Sequence, residues 1–185
     1  MPTTTIQDDK EKLLKILREK AFFKEKIILS SGKESDYYLD ARRVTLMAEG
    51  AYLSAKIILE LVNNEKFDAI GGPTLGADPI VGALGVLSYQ AQKPVNTFIV
   101  RKAPKAHGKQ QQIEGPLLKE GATVILIDDV ATTGKAFLES IDVLKKAKIN
   151  VKKCVCIIDR DEGAKDALGK VGCELVSIFK GKDFF

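Results

Sequence analysis

Over residues 9–23, Leu13, Leu14, Ile16, Leu17 and Ala21 recur at helical spacing among Lys and Glu, which predicts an amphipathic first helix. Residues 27–42, IILSSGKESDYYLDAR, mix apolar pairs with Gly, Ser and two tyrosines and predict a short strand, a turn and a second strand. Helical spacing returns over 47–63, with Leu53, Ile57, Ile58 and Leu61 on one side. FDAIGG at 67–72 predicts a short strand ending in glycines. Residues 74–90 predict a loop that becomes a small-residue helix, and VNTFIVR at 95–101 a strand. Residues 102–120 are polar, carry no apolar period and predict a long loop. ATVILID at 122–128 predicts a central buried strand. A helix over 135–147, a strand over 151–159, a helix over 161–170 and a strand over 173–179 complete the pattern. Strands alternate with helices from residue 47 onward, so the expected fold is α/β, a parallel sheet flanked by helices. One domain over 1–185 is expected, with about 46–185 forming the α/β core; there is no internal repeat.

One strand end stands out. VILIDDVATTGK runs four apolar residues into Asp128 and Asp129, then into a small, hydroxyl-rich turn before a helix. In open parallel sheets, ligands bind beyond the carboxyl ends of the strands. Backbone amides over Ala131–Gly134, at the positive end of a helix dipole, would form an anion site, with Thr132 and Thr133 as hydroxyl donors. Two carboxylates beside a phosphate would repel it. The conflict disappears if the ligand carries phosphate at one end and vicinal hydroxyls further along, because carboxylates accept hydrogen bonds from hydroxyls. A ribose 5-phosphate has that shape. A lone Asp here would read as a helix N-cap, which leaves the pair and Thr-Thr-Gly unexplained. A P-loop needs a glycine where Asp129 stands, so that reading fails.

Composition narrows the chemistry. Net charge is +4 with a pI near 8.8, too weak and dispersed to argue for nucleic acid, and suited to an anionic small substrate. Three cysteines, an odd number, argue against a disulfide framework and for a reducing compartment; Cys154 and Cys156 read as small core residues on one side of a strand. His107 is the only histidine, which excludes HExxH zinc chemistry and a Ser/His/Asp triad elsewhere. With neither a signal stretch nor an apolar run of about 18 residues, the chain is expected to be cytoplasmic, without a membrane partner.

VILIDDVATTGKA resembles the phosphoribosyl pyrophosphate (PRPP) signature of type I phosphoribosyltransferases. RKAPKAHGKQQQIEG at 101–115 is similar to the mobile loop of the orotate phosphoribosyltransferase family, SSGKESDYYLDAR at 30–42 to its N-terminal hood, and IDRDEG at 158–163 to its Asp-Arg stretch. Order and spacing match over roughly the whole chain, with about 1–45 corresponding to the first helix and hood.

The resemblance implies transfer of phosphoribose from PRPP to orotate in pyrimidine biosynthesis. It implies Lys105, His107, Asp128 and Asp129 as catalytic residues. PRPP would also contact Arg101, Lys102, Val130, Ala131, Thr132, Thr133, Gly134, Lys135 and Ala136, and orotate would contact Thr132, Arg160, Tyr37 and Tyr38. Mg²⁺ is expected with PRPP, held by substrate oxygens with no direct protein ligand. GGPTLGADP at 71–79 resembles the pyrophosphate loop but lacks the lysine some members carry, and Ser30 stands where some have a hood lysine; Lys26 and Lys33 are nearby cations without an assigned role. A homodimer with shared active sites is implied, the loop of one subunit reaching its neighbour. Two other readings stand beside this one: a purine phosphoribosyltransferase, and a regulator that kept the PRPP fold and binds nucleic acid.

Overall fold

Thr5 starts the first helix, α1 (Ile6–Lys20): its hydroxyl accepts from the Asp8 amide while the Asp8 side chain returns to the Thr5 amide. In the structure, a computed structural model that describes residues 5–28, 34–104 and 112–185, Leu13 and Leu17 of this helix are buried. Four two-residue strands follow: β1 (Phe22–Phe23), β2 (Ile27–Ile28), β3 (Glu34–Ser35) and β4 (Tyr38–Leu39). β1 pairs with β4 and β2 with β3, all antiparallel. The β2–β3 hairpin was legible in the sequence; β1 was hidden inside the residues expected to be helical. A short α2 (Arg42–Thr45) leads into α3 (Ala48–Leu61).

The core then alternates β5 (Ala69–Pro73), α4 (Asp78–Gln90), β6 (Asn96–Val100), β7 (Ile113–Glu114), β8 (Thr123–Ala131), α5 (Lys135–Lys146), β9 (Asn150–Asp159), α6 (Ala164–Gly169) and β10 (Glu174–Lys180). The sheet order is β10-β9-β8-β5-β6-β7. Every pairing is parallel except β7, a two-residue edge strand running against Ile99–Val100. That edge corrects the expectation of an unbroken loop over 102–120: Ile113 and Glu114 lack a period because two residues are too few to show one.

β8 explains the layering. Its side chains alternate, so Ile125 and Ile127 pack with α1, α3 and α4 on one face. Val124 and Leu126 pack with Phe137, Leu144 and Leu168 of α5 and α6 on the other. A strand buried on both faces must be apolar throughout, which is why VILI is continuous. Cys154 and Cys156 lie in the second cluster as expected, free and buried; Cys154 Sγ lies 3.4 Å from Cys173 Sγ. From β5 the chain proceeds to β6 on one side, while β8, β9 and β10 proceed on the other. The order therefore reverses between β5 and β8, and the carboxyl ends of these two strands flank the crevice where α/β folds bind ligands.

Candidate active site

β8 does not stop at Asp128, as the sequence suggested, but runs through both aspartates to Ala131. The two carboxylates are therefore held by sheet backbone and not by a loop. Asp128 is buried and Asp129 half-buried. Each accepts a hydrogen bond from the next amide: Asp129 N–H to Asp128 Oδ1 at 2.9 Å, and Val130 N–H to Asp129 Oδ1 at 2.7 Å. Burial is the main cause that pushes both acids above the ordinary carboxylate range, and the charge of Asp129 adds to it at Asp128. Lys102 opposes the rise at Asp128 and Arg42 opposes it at Asp129. The pair thus stores unfavourable charge that a ligand rich in hydroxyls, or a cation, would relieve.

The turn that follows bends at a glycine. Gly134 caps α5 in the left-handed region, φ 79°, and a side chain there would press on Ala164. A cavity of about 560 Å³ opens beside it, lined by Asp128, Val130–Ala136 and Lys102. Thr133, Lys135 and Ala136 are exposed toward solvent and Thr132 is half-buried. An adjoining cavity of about 300 Å³ is lined by Arg101, Lys102, Pro73 and Ala136 among others. Arg101 Nη1 stands 3.5 Å from Glu114 on the edge strand. The sequence-predicted PRPP residues from Lys102 through the turn therefore meet at one place, with Arg101 next door. Lys105 and His107 lie outside the described residues, as do Ser30 and Lys33; Lys26 is exposed.

The β5–α4 loop closes the other wall. Thr74 N–H donates to Val100 C=O at 3.0 Å and the Thr74 hydroxyl to Asp78 at 2.7 Å. Gly76 then comes so near the acid pair that a Cβ would lie 2.5 Å from Asp129 Oδ1 and closer still to Asp128. Gly76 lies in the 71–79 segment that resembles the pyrophosphate loop, and its use here is its lack of a side chain.

Arg160 sits one residue past β9, buried. Its amide donates to Ala131 C=O at 2.9 Å. Its Nε donates to Glu162 at 2.7 Å, and its guanidinium carbon lies 4.3 Å from the centre of the Tyr37 ring. Tyr37 is thus brought against Arg160. Tyr38 instead faces Phe23, with ring centroids 6.3 Å apart. Asp159 is held by Lys180 Nζ at 2.6 Å. Glu162 and Lys180 escaped the sequence reading; a carboxylate two residues after a buried arginine, just before a glycine, was the available signal for Glu162.

Among the described residues no group of three or more His, Cys, Asp or Glu forms a metal cage. The acid pair supplies hard oxygen donors of the kind Mg²⁺ prefers, and its own repulsion favours a nearby cation. These residues fit an ion carried mostly by a ligand's oxygens.

Residues 44–180 match the phosphoribosyl transferase domain family. An orotate phosphoribosyltransferase of Aquifex aeolicus is 39% identical over 93% of this chain and 95% of its own length. One from Nostoc sp. is 37% identical over 96% of this chain and 85% of its own. The crystal structure of Mycobacterium tuberculosis orotate phosphoribosyltransferase in complex with PRPP matches with a TM-score of 0.79 at 29% identity, covering 95% of this chain and 98% of that one. No helix among the described residues is long and apolar enough to cross a membrane.

Proposed function

The chain belongs to the phosphoribosyl transferase family and, within it, to the orotate phosphoribosyltransferases, and from that premise we propose how its site works. The enzyme transfers the 5-phosphoribosyl group of PRPP to orotate, giving orotidine 5′-monophosphate and pyrophosphate. One observation supports this reading of the site: Asp128, the 130–136 turn and Lys102 line one cavity at the carboxyl end of β8, beside the point where the strand order reverses.

In this reading the 5-phosphate rests on the amides of the 131–134 turn, at the positive end of α5. Asp128 and Asp129 accept from the ribose hydroxyls, and Arg160 takes the carboxylate of orotate. Orotate N1 gives up its proton, which the departing pyrophosphate takes, and the N1 electron pair forms the new bond to C1 as the C1–O bond breaks, the C1–O pair leaving with pyrophosphate. Positive charge grows on the ribose and negative charge on the leaving group, so the acid pair and the Lys102–Arg101 side match opposite ends of the transition state. Lys105 and His107, which lie outside the described residues, are proposed as catalytic residues that act on the pyrophosphate side, and a site kept free of water protects the reactive oxocarbenium-like centre. Mg²⁺ bound with PRPP would neutralise pyrophosphate charge, and Asp128 and Asp129 would hold it through water.

The working form is a homodimer with shared sites. Tyr52 on α3, Val86 and Tyr89 on α4, and Leu75 before it are exposed apolar side chains on helices that pack together, a surface that a second copy would cover. The reaction belongs to pyrimidine biosynthesis in the cytoplasm. Loss of orotate absorbance on adding PRPP and Mg²⁺, and none without PRPP, tests the assignment; equal loss without PRPP, or none with it, would overturn it.

A further inference from the structure

A buried guanidinium needs partners on its edge and its faces, and those partners decide which way it points. Arg160 has both. The Glu162 carboxylate holds Nε at 2.7 Å, with the Arg160 side chain only 4% exposed. The guanidinium carbon stands over the Tyr37 ring, 4.3 Å from its centre. Neither partner is loosely placed. Glu162 is bracketed by two residues in the left-handed region, Asp161 at φ 57° and Gly163 at φ 104°. Asp161 is pinned in turn, its amide on Asp159 Oδ1 at 2.9 Å and its carboxylate on Lys180 Nζ at 2.8 Å. This sharp turn brings a carboxylate two residues along the chain back beneath its own arginine. Tyr37 is wedged by Phe22 at 5.6 Å and by the edge of Phe185 at 5.2 Å.

We propose that Glu162 is a positioning residue for base selection: it anchors the Nε edge of Arg160 while Tyr37 fixes the plane, so that the terminal nitrogens meet the carboxylate of orotate in one orientation. The inference rests on the reading of Arg160 as the orotate contact. A carboxylate on Nε acts without touching the substrate, and it also keeps the buried arginine from pulling orotate out of line with C1. Its effect should therefore fall on the base and leave PRPP alone.

The test uses the intact enzyme and four variants: Glu162→Ala, Glu162→Gln, Arg160→Lys and the double variant Arg160→Lys/Glu162→Ala. Glu162→Ala should raise the KM for orotate about tenfold or more, the scale of one charge-assisted hydrogen bond, with the KM for PRPP nearly unchanged. Glu162→Gln, which keeps an acceptor for Nε, should recover part of the loss. In the Arg160→Lys background Glu162→Ala should add little, because the group it positions is gone. Equal rises in both KM values, or full additivity in the double variant, would overturn the proposal and leave Glu162 a structural residue. A lower KM for orotate in Glu162→Ala would also overturn it, showing that Glu162 competes with the substrate. If Arg160→Lys itself spares the orotate KM, the assignment of Arg160 fails, and the proposal with it; a Glu162 failure beside an Arg160 effect sinks the proposal alone.

Discussion

The amide of Arg160 donates to the carbonyl of Ala131 at 2.9 Å, and four residues further on the amide of Ala164 donates to the carbonyl of Thr132 at 3.2 Å. The strand end that carries the base-side arginine is thereby fastened to the turn that would hold phosphate. In the proposed reading the two halves of the substrate would be placed relative to each other by backbone, so a side-chain change on one half should leave the other in register.

Arg160→Lys keeps the charge and this backbone bond but loses the planar fork. The expected result is a raised KM for orotate with the KM for PRPP nearly intact, read by steady-state kinetics with each substrate varied. A fall in PRPP affinity instead would show that the arginine serves the phosphate half.

Asp129→Asn should lower kcat by roughly 10²-fold, as for loss of one preorganised electrostatic contact. The same change, or Asp128→Asn, should raise the melting temperature of the ligand-free protein, since burial holds both acids above their ordinary range and the amide removes a charge the fold disfavours. About 1.4 kcal/mol accompanies each tenfold in the proton equilibrium, which for a chain of this size is about 3 °C or more. Calorimetry of the variants beside wild type checks it; an unchanged kcat would remove Asp129 from the site.

The acid pair also sets a pH dependence with opposite signs for stability and activity. In the unfolded chain these aspartates ionise near 3.8; in the folded state they keep protons to higher pH. Below 3.8 both states are protonated and the pair has no effect. As pH rises through the folded values, the folded state must ionise against burial and loses stability. Ribose hydroxyls need the ionised acceptors, so kcat/KM for PRPP should rise over the same window. Thermal unfolding and PRPP kinetics between about pH 8 and about pH 4 would reveal the crossing trends; parallel trends would mean the pair is not the acceptor.

Sharing of sites between subunits is open to complementation. Lys105→Ala and Asp129→Asn dimers should each be nearly inactive. Mixed dimers would hold one site with both defects and one with none. Random equal mixing makes about half of the dimers mixed, so activity should return to roughly a quarter of wild type after joint dissociation and reassociation. If mixed dimers form and stay inactive, the loop serves its own subunit.

What the sequence made legible follows from period and chemistry. The VILI run, the acid pair and the helix after Gly134 were readable because a strand buried on both faces is apolar throughout, and because hydroxyls, acids and a glycine in a row have few other uses. Elements without a period were not readable. β1 is two aromatics beside a helix end, β7 is two residues in a polar stretch, and the 3₁₀ turn Gly181–Phe184 has too few residues to show spacing. The continuation of β8 through Asp128 and Asp129 was hidden because charge normally marks a strand's end; here hydrogen bonds donated by the following residues' amides hold the carboxylates. The Glu162–Arg160–Tyr37 group depends on a left-handed turn and on contact between residues more than 120 positions apart, which local sequence does not encode.

The base accepted here is orotate, and PRPP supplies the sugar phosphate. The most direct measurement of this gives the enzyme PRPP and Mg²⁺ with orotate and adenine together at equal concentration, and resolves the products by chromatography. The expected result is orotidine 5′-monophosphate, with one pyrophosphate released per orotate consumed and adenine untouched. Formation of adenosine 5′-monophosphate with orotate left over, or tight binding of both substrates without any nucleotide formed, would contradict it.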